Sequence, residues 1–335
     1  MKLGQFAART DPGRKRRGNE DSYVCRPPLF AIADGMGGAQ AGEVASALAA
    51  SALEDSGAGG GQAHVVELIQ EANRRVHERA STDAETSGMG TTITVALVER
   101  DGTVTMGHVG DSRAYLLRDD RLEQLTDDHS LVAELVRRGE LSPEAAEVHP
   151  QRSVITRALG TDPDVDVDSF TVAARPGDVY LICSDGLSDM VDGAKIEEIL
   201  RTHRAELDSA AKALVQAANR AGGEDNITAI LFELVEGEPA EREPDEQTRE
   251  LVVPTDEEDT LHPEDGVAPP PPLEQDSPTA VDTMVVPAAE IEAALAAEES
   301  REAPQAGIGR RFVALLVILA LIAMIVVLVV WGLAR

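Results

Sequence analysis

Short runs of apolar, largely β-branched residues, each about one strand long and several closed by an aspartate, dominate the first 235 residues. Residues 30–33, 92–98, 104–109, 114–117, 179–183 and 227–234 are such runs, bounded by Gly, Asp or Asn, which is the punctuation of strands. They follow one another in hairpin-like order, with Asp101-Gly102 and Asp119-Asp120 at the turns. Strict alternation with helices would signal a parallel sheet, whereas consecutive hairpins predict largely antiparallel sheets. Apolar residues three and four apart occur only in 41–53, 63–79, 130–138 and 207–221, helices that must pack outside those sheets. The predicted class is α+β.

Charge and cysteine content narrow the function. Thirty Lys and Arg against sixty Asp and Glu give a formal net charge of −30, a field that repels nucleic-acid phosphate, so no nucleic acid is expected as partner. Two cysteines, Cys25 and Cys183, supply neither a disulfide framework nor a four-sulfur zinc site, and fit a reducing compartment. The N-terminus runs into polar sequence without the apolar core of a secretory signal, so the bulk of the chain is expected in the cytoplasm.

Composition divides the 335 residues into three. Residues 1–235 carry the strand and helix patterns. Residues 236–309 hold about 21 acids against three basic side chains and most of the prolines, too little apolar surface to offset chain entropy, and are expected to be a disordered, extended linker. Residues 288–299 could form a short helix within it, and Thr255, Thr260, Thr279 and Thr283 could be phosphorylated docking points if they are more than spacer. In 310–335, residues 312–333 are free of charge for about 22 positions, enough at 1.5 Å per residue to cross a ~30 Å hydrocarbon layer. Arg310 and Arg311 before the span, against Arg335 after it, favour a cytoplasmic N-terminal side. The expectation is a single-pass tail anchor in the cell membrane, with the remainder cytoplasmic.

Chemistry is signalled by where aspartates fall. Asp34 ends one apolar run and precedes Gly35; Asp111 and Asp185 follow two others, and Asp225-Asn226 precedes the last. Strand ends from a shared core converge, and four carboxylates at one rim repel each other at high desolvation cost unless a multivalent cation sits among them. Oxygen-only ligands select hard ions, so Mg2+ or Mn2+ is expected, and Gly35 would let a backbone carbonyl approach the ion. Glu20 and Asp21 add two acids behind the basic run Arg14-Lys15-Arg16-Arg17, which is either a solvated arm or a phosphate grip. Two ions about 3.5–4 Å apart with an arginine beside them suit hydrolysis of a phosphate ester by a metal-activated water.

These residues resemble the metal-dependent Ser/Thr protein phosphatases of the protein phosphatase 2C, or PPM, family. The resemblance covers residues 4 to 235 in the family's order: Thr10-Asp11 with Gly13; Arg16 before Asn19-Glu20-Asp21-Ser22; Ala33-Asp34-Gly35-Met36-Gly37-Gly38 with Gly42-Glu43; Met89-Gly90-Thr91-Thr92; Gly107 to Arg113; Leu125-Thr126 with Asp128-His129-Ser130; Ile155 to Gly160; Ser184 to Leu187; and Glu224 to Thr228. It implies a four-layer α-β-β-α sandwich of two antiparallel sheets with metals in a channel at one edge. By the same resemblance Asp34 bridges two metals, the Gly35 carbonyl completes the first, Asp185 and Asp225 hold the second, and Asp111 shares a third, weaker site with Asp185. Glu20 and Asp21 would hold metal-bound waters, Arg16 the substrate phosphate, and residues 135–153 would form a mobile flap.

Met36 stands where many eukaryotic relatives have a histidine proposed as general acid, and a thioether donates no proton. His108, His129 and Cys183 lie near motifs and are read as structural. The implied function is hydrolysis of phosphoserine and phosphothreonine in proteins, opposing Ser/Thr kinases that are partners along with their substrates. The alternatives are a phosphoprotein-binding pseudophosphatase, against which Asp34, Asp185 and Asp225 all stand intact, and a regulator with one dedicated partner.

Overall fold

The structure, a computed structural model, describes residues 1–37, 41–55, 57, 59–237 and 284–285. All of them fall in the first of two units into which the chain divides, Met1–Pro287. The strands are β1 (Lys2–Asp11), β2 (Asp21–Arg26), β3 (Leu29–Met36), β4 (Gly90–Thr91), β5 (Ile93–Val98), β6 (Thr103–Val109), β7 (Arg113–Arg118), β8 (Arg121–Gln124), β9 (Val154–Ile155), β10 (Asp168–Ala173), β11 (Asp178–Cys183), β12 (Ile227–Val235) and β13 (Met284–Val285). The helices are α1 (Ala41–Glu54), α2 (Gly61–Thr82), α3 (Leu131–Arg137), α4 (Pro143–Glu147), α5 (Asp185–Ser188), α6 (Gly193–Thr202) and α7 (Leu207–Ala221).

One sheet runs β1-β12-β11-β7-β8 and the other β10-β6-β5-β3-β2, with β4 beside β3. Every pairing in these two sheets is antiparallel. The continuous apolar runs of β11, β12 and β3 arise because both faces of each are covered, which removes the polar alternation of a half-exposed strand. Val179, Leu181, Ala229 and Leu231 turn outward onto Leu200, Leu207 and Leu214 of α6 and α7. Tyr180, Ile182, Ile230 and Phe232 turn inward and meet Phe30, Ile32 and Met106 of the second sheet. Ala31 and Val95 on its far side pack on Ala45, Ala49 and Ile69 of α1 and α2. The expected α-β-β-α layering is therefore present.

Between the sheets, Phe232 is stacked on Phe30 at 4.4 Å and on Tyr180 at 4.9 Å, ring planes within 6°. Local signals set the ends of elements. Ser130 opens α3 as its cap, accepting from the Ala133 amide, one residue outside the predicted helix's interior. Asp119 and Asp120 both have positive φ, 51° and 60°, as the two-residue hairpin turn between β7 and β8 demands.

Strands β1, β2, β8 and β10 and helix α6 were absent from the sequence pattern. β1 reads KLGQFAARTD with no buried residue in its first half, an edge strand that β12 recruits by backbone pairing rather than by hydrophobicity. Of the expected linker, only 236–237 and β13 are described, and β13 pairs in parallel with β9, which a wholly disordered tether does not predict. The remaining linker residues, including 288–299 and the four threonines, and the uncharged run 312–333 lie outside the described residues. Among the described residues no helix is long and apolar enough to cross a membrane.

Phe232→Ala should lower unfolding free energy by about 3–5 kcal/mol, the range for truncating a buried ring. Urea denaturation measures it, and a loss under about 1 kcal/mol would show that the stacked rings do not lock the sheets.

Candidate metal centre

The acids meet because both sheets end at one rim. Asp21 opens β2 and stands opposite Asp34 of β3 in register. Asp111 follows β6, Asp185 starts α5 directly after β11, and Asp225 leads into β12. One carboxylate ties the two sheets together: Asp21 Oδ2 accepts from Thr228 Oγ1 at 2.5 Å and from Ser184 Oγ at 2.9 Å. Gly35 fits only as glycine, since a Cβ there would strike the carbonyl oxygens of Gly42 and Glu20. Gly186 is equally confined by the carbonyl of Asn226.

Crowding shows in the protonation of these groups. Burial is the largest cause lifting Asp34 well above the ordinary carboxylate range, followed by the charges of Asp21, Asp185, Asp225 and Asp111. Asp185 is lifted in the same way, by burial and then by Asp111, Asp189, Asp225 and Asp21. Asp111 is pushed up to about 7 by burial, then by Asp128 and Asp189, with Arg113 opposing. Asp21 rises to about 6, burial outweighing its hydrogen bonds from Thr228 and Ser184. Asp34, Asp185 and Asp225 nonetheless keep part of their surface open to solvent, so the rim is reachable from outside.

Arg16 reaches the rim from the loop between β1 and β2. Asn226 holds that loop, donating through Nδ2 to the carbonyls of Pro12 (3.1 Å) and Gly18 (2.9 Å) and accepting the Glu20 amide at 2.8 Å. The Arg14 and Lys15 amides both donate to the Gly223 carbonyl. The basic run is thereby split: Lys15 pairs with Glu224 at 2.5 Å, and Arg16 turns to Asp225 at 2.7 Å.

Among the described residues, no three Asp, Glu, His or Cys side chains converge tightly enough to enclose an ion unaided. The donor set still fits a hard divalent cation. Buried oxygens Asp21 Oδ1, Asp111 Oδ1 and Asp185 Oδ1 have no hydrogen-bond donor, and a buried anionic oxygen without a donor is costly unless a cation compensates it. Asp34, Asp185, Asp225, Asp111 and the Gly35 carbonyl could share such ions, with Glu20 and Asp21 behind them.

The roles of four residues escaped the sequence reading. Asp189, one turn after Asp185 with its amide on the Asp185 carbonyl at 2.8 Å, adds a further acid to the field; the spacing of two acids four apart on a helix was the available signal. Ser184 and Thr228 lie 163 and 207 residues from the Asp21 they hold, and no local pattern carries that. Asn226 belonged to a motif, but its clamp on the loop is visible only in three dimensions.

Met36 is buried against Ile155 and Ala158. His108 and His129 are structural, as expected, but paired: their rings lie 4.8 Å apart, His108 bonds Thr94 and the Asp127 carbonyl, and His129 bonds the Gly110 amide and Asp168. Cys183 is fully buried, and burial pushes its thiol up to about 12, so it stays protonated.

Comparison with known proteins identifies relatives of this chain. A family model for protein phosphatase 2C matches residues 19–231. The serine/threonine phosphatase stp of Listeria innocua is 43% identical over 238 residues, covering 67% of this chain and 94% of that protein. A crystal structure of the Mycobacterium tuberculosis serine/threonine phosphatase PstP/Ppp superposes with a TM-score of 0.66 at 41% identity, covering 70% of this chain and 100% of the other. The catalytic domain of PstP in complex with two manganese ions gives a TM-score of 0.64 at 39% identity over 70% of this chain and 99% of that one.

The buried His108 ring is held down to about 3, chiefly by burial, whereas the unfolded ring titrates near 6.5. Between those values only the unfolded chain takes the proton, so the stability this ring confers is complete above pH 6.5 and falls on acidification. From pH 7 to 5.5, wild type should lose about 1 kcal/mol more than His108→Gln in urea denaturation, a comparison in which the oppositely signed acids cancel. Equal losses would contradict the buried neutral ring.

Proposed function

The chain belongs to the protein phosphatase 2C family, and we infer that its acid-lined rim is the active site of a metal-dependent protein phosphatase. It hydrolyses phosphoserine and phosphothreonine in proteins. The observation that carries this reading is the common field of Asp34, Asp21, Asp185, Asp225 and Asp111, five acids from both sheets, with the Arg16 guanidinium against Asp225.

In the proposed assignment Asp34, the Gly35 carbonyl, Asp185 and Asp225 hold two divalent ions, and Asp111 with Asp185 a third. Manganese or magnesium, when bound, neutralises the acids and makes hydroxide available near neutral pH. The chain's own work is positional. Thr228 and Ser184 fix Asp21, and through it the mutual spacing of the two sheet ends. Arg16, on a loop fastened by Asn226 and Gly223, exchanges its contact with Asp225 for two parallel hydrogen bonds to a substrate phosphate. Met36 fills the wall beside Asp34 and supplies no proton.

The three-part organisation belongs to the same proposal: a phosphatase domain over 1–235, an acidic tether over 236–309, and an anchor in 310–335 that crosses the cell membrane once and leaves the active site in the cytoplasm. The uncharged run 312–333 supports it by length. Confinement would raise the effective concentration toward membrane-bound Ser/Thr kinases and their substrates.

Activity on a phosphothreonine peptide should require manganese or magnesium and vanish with EDTA. Asp34→Asn should lose at least about 100-fold in kcat, and Arg16→Ala about 10–100-fold in kcat/KM, the worth of charged hydrogen bonds. Turnover that survives EDTA overturns the reading. Deleting 312–335 should leave peptide turnover intact while releasing the protein from membranes on fractionation; retention in the membrane fraction would refute the anchor.

A further inference from the structure

Strand β9 is two residues long, yet it lies where the stretch 135–153 rejoins the body of the protein. Ile155 is 1% exposed and packs with Met36 and Ala158, so β9 abuts the residue two positions after Asp34. Its inner edge is satisfied locally: Ile155 bridges Ser130 in antiparallel fashion, and the Thr156 amide donates to the His129 carbonyl at 2.8 Å. Backbone groups alternate in direction along a strand, so if Thr156 faces that side, the N–H and C=O of Ile155 face the other. A residue so buried needs partners for both. The acidic segment of this same chain lies on that side, with Met284 level with Val154 and Val285 with Ile155 in parallel register, which sets the Met284 carbonyl to accept from the Ile155 amide.

We propose that the outer edge of β9 is a strand-docking surface, that residues 284–285 occupy it in cis, and that this added strand restrains protein substrates from reaching the acid cluster. Strand addition takes its affinity from main-chain hydrogen bonds, and an extended phosphopeptide approaching the rim beside Met36 competes for the same edge. Two residues of pairing are weak on their own. Tethering makes up for it: about 48 residues separate β12 from β13, a coil of that length spans about 35–42 Å, and tethers on this scale give effective concentrations in the millimolar range. The restraint rests on the phosphatase reading; the docking does not.

The test uses the full chain in detergent with Met284→Pro and Val285→Pro together, a pair outside the folded sheets and the acid cluster. Proline at both positions removes the Met284 N–H donor and crowds the strand edge with two rings, which breaks the pairing that presents the Met284 carbonyl to the Ile155 amide. Amide hydrogen exchange at Ile155 should then accelerate about tenfold or more, as local protection is lost. In the same variant kcat/KM for a phosphothreonine peptide should rise about threefold or more, while turnover of p-nitrophenyl phosphate, too small to need the edge, stays constant. Unchanged exchange at Ile155 overturns the docking whatever the enzyme does. Faster exchange with unchanged peptide turnover, or with equal changes for both substrates, overturns the restraint. Protection at Ile155 that grows with protein concentration assigns the strand to a second copy and overturns the cis arrangement. If neither protein hydrolyses the peptide, the phosphatase reading fails and the exchange data still judge the docking.

Discussion

Mutual repulsion among the acids at one rim is the constraint around which the molecule is arranged. Burial and neighbouring charge both push Asp34 and Asp185 toward the protonated state, and three buried carboxylate oxygens lack any donor. A fold seldom holds such a cluster for its own stability, because removing charge from water costs several kcal/mol per ion. The rim is tolerated because rigid layers on either side make it unavoidable: the stacked rings of Phe30, Phe232 and Tyr180 fix how the sheets face each other, and hence where their strands end.

From that constraint the rest of the site follows. Hydroxyls of Ser184 and Thr228, from the ends of one sheet, converge on Asp21 at the edge of the other, so the spacing of the acids is set by hydrogen bonds between sheets. Asn226 turns the same strand end into an anchor for the arginine loop. Arg16 then offers a cation held at the rim against Asp225, a contact a phosphate can displace. Placement, charge compensation and access all originate in the sheet termini.

Much of this was legible beforehand, for a physical reason. Asp34, Asp111, Asp185 and Asp225 stand out because an acid at the end of a buried apolar strand conflicts with its surroundings, and such conflicts mark function. The doubly covered strands β3, β11 and β12 were legible from continuous apolar runs. β1 and β2 were not: both are edge strands of mixed polarity, and β1 finds its partner, β12, only at the far end of the domain. Asp189 was hidden at the C-terminal end of a short helix, where an acid looks like ordinary surface charge, and the link from Ser184 and Thr228 to Asp21 exists only after folding. The parallel pairing of β13 with β9 was equally beyond a reading by composition, which sees in that acidic segment only a solvated tether.

The central claim is that these carboxylates are held together at a cost that a divalent ion removes, and thermal unfolding tests it most directly. In EDTA at neutral pH, Asp34→Asn should melt above wild type, because one of the repelling charges is gone. Adding manganese should raise the melting temperature of wild type well beyond that of the variant. A wild-type protein indifferent to manganese, or an Asp34→Asn variant less stable than wild type in EDTA, would contradict the account.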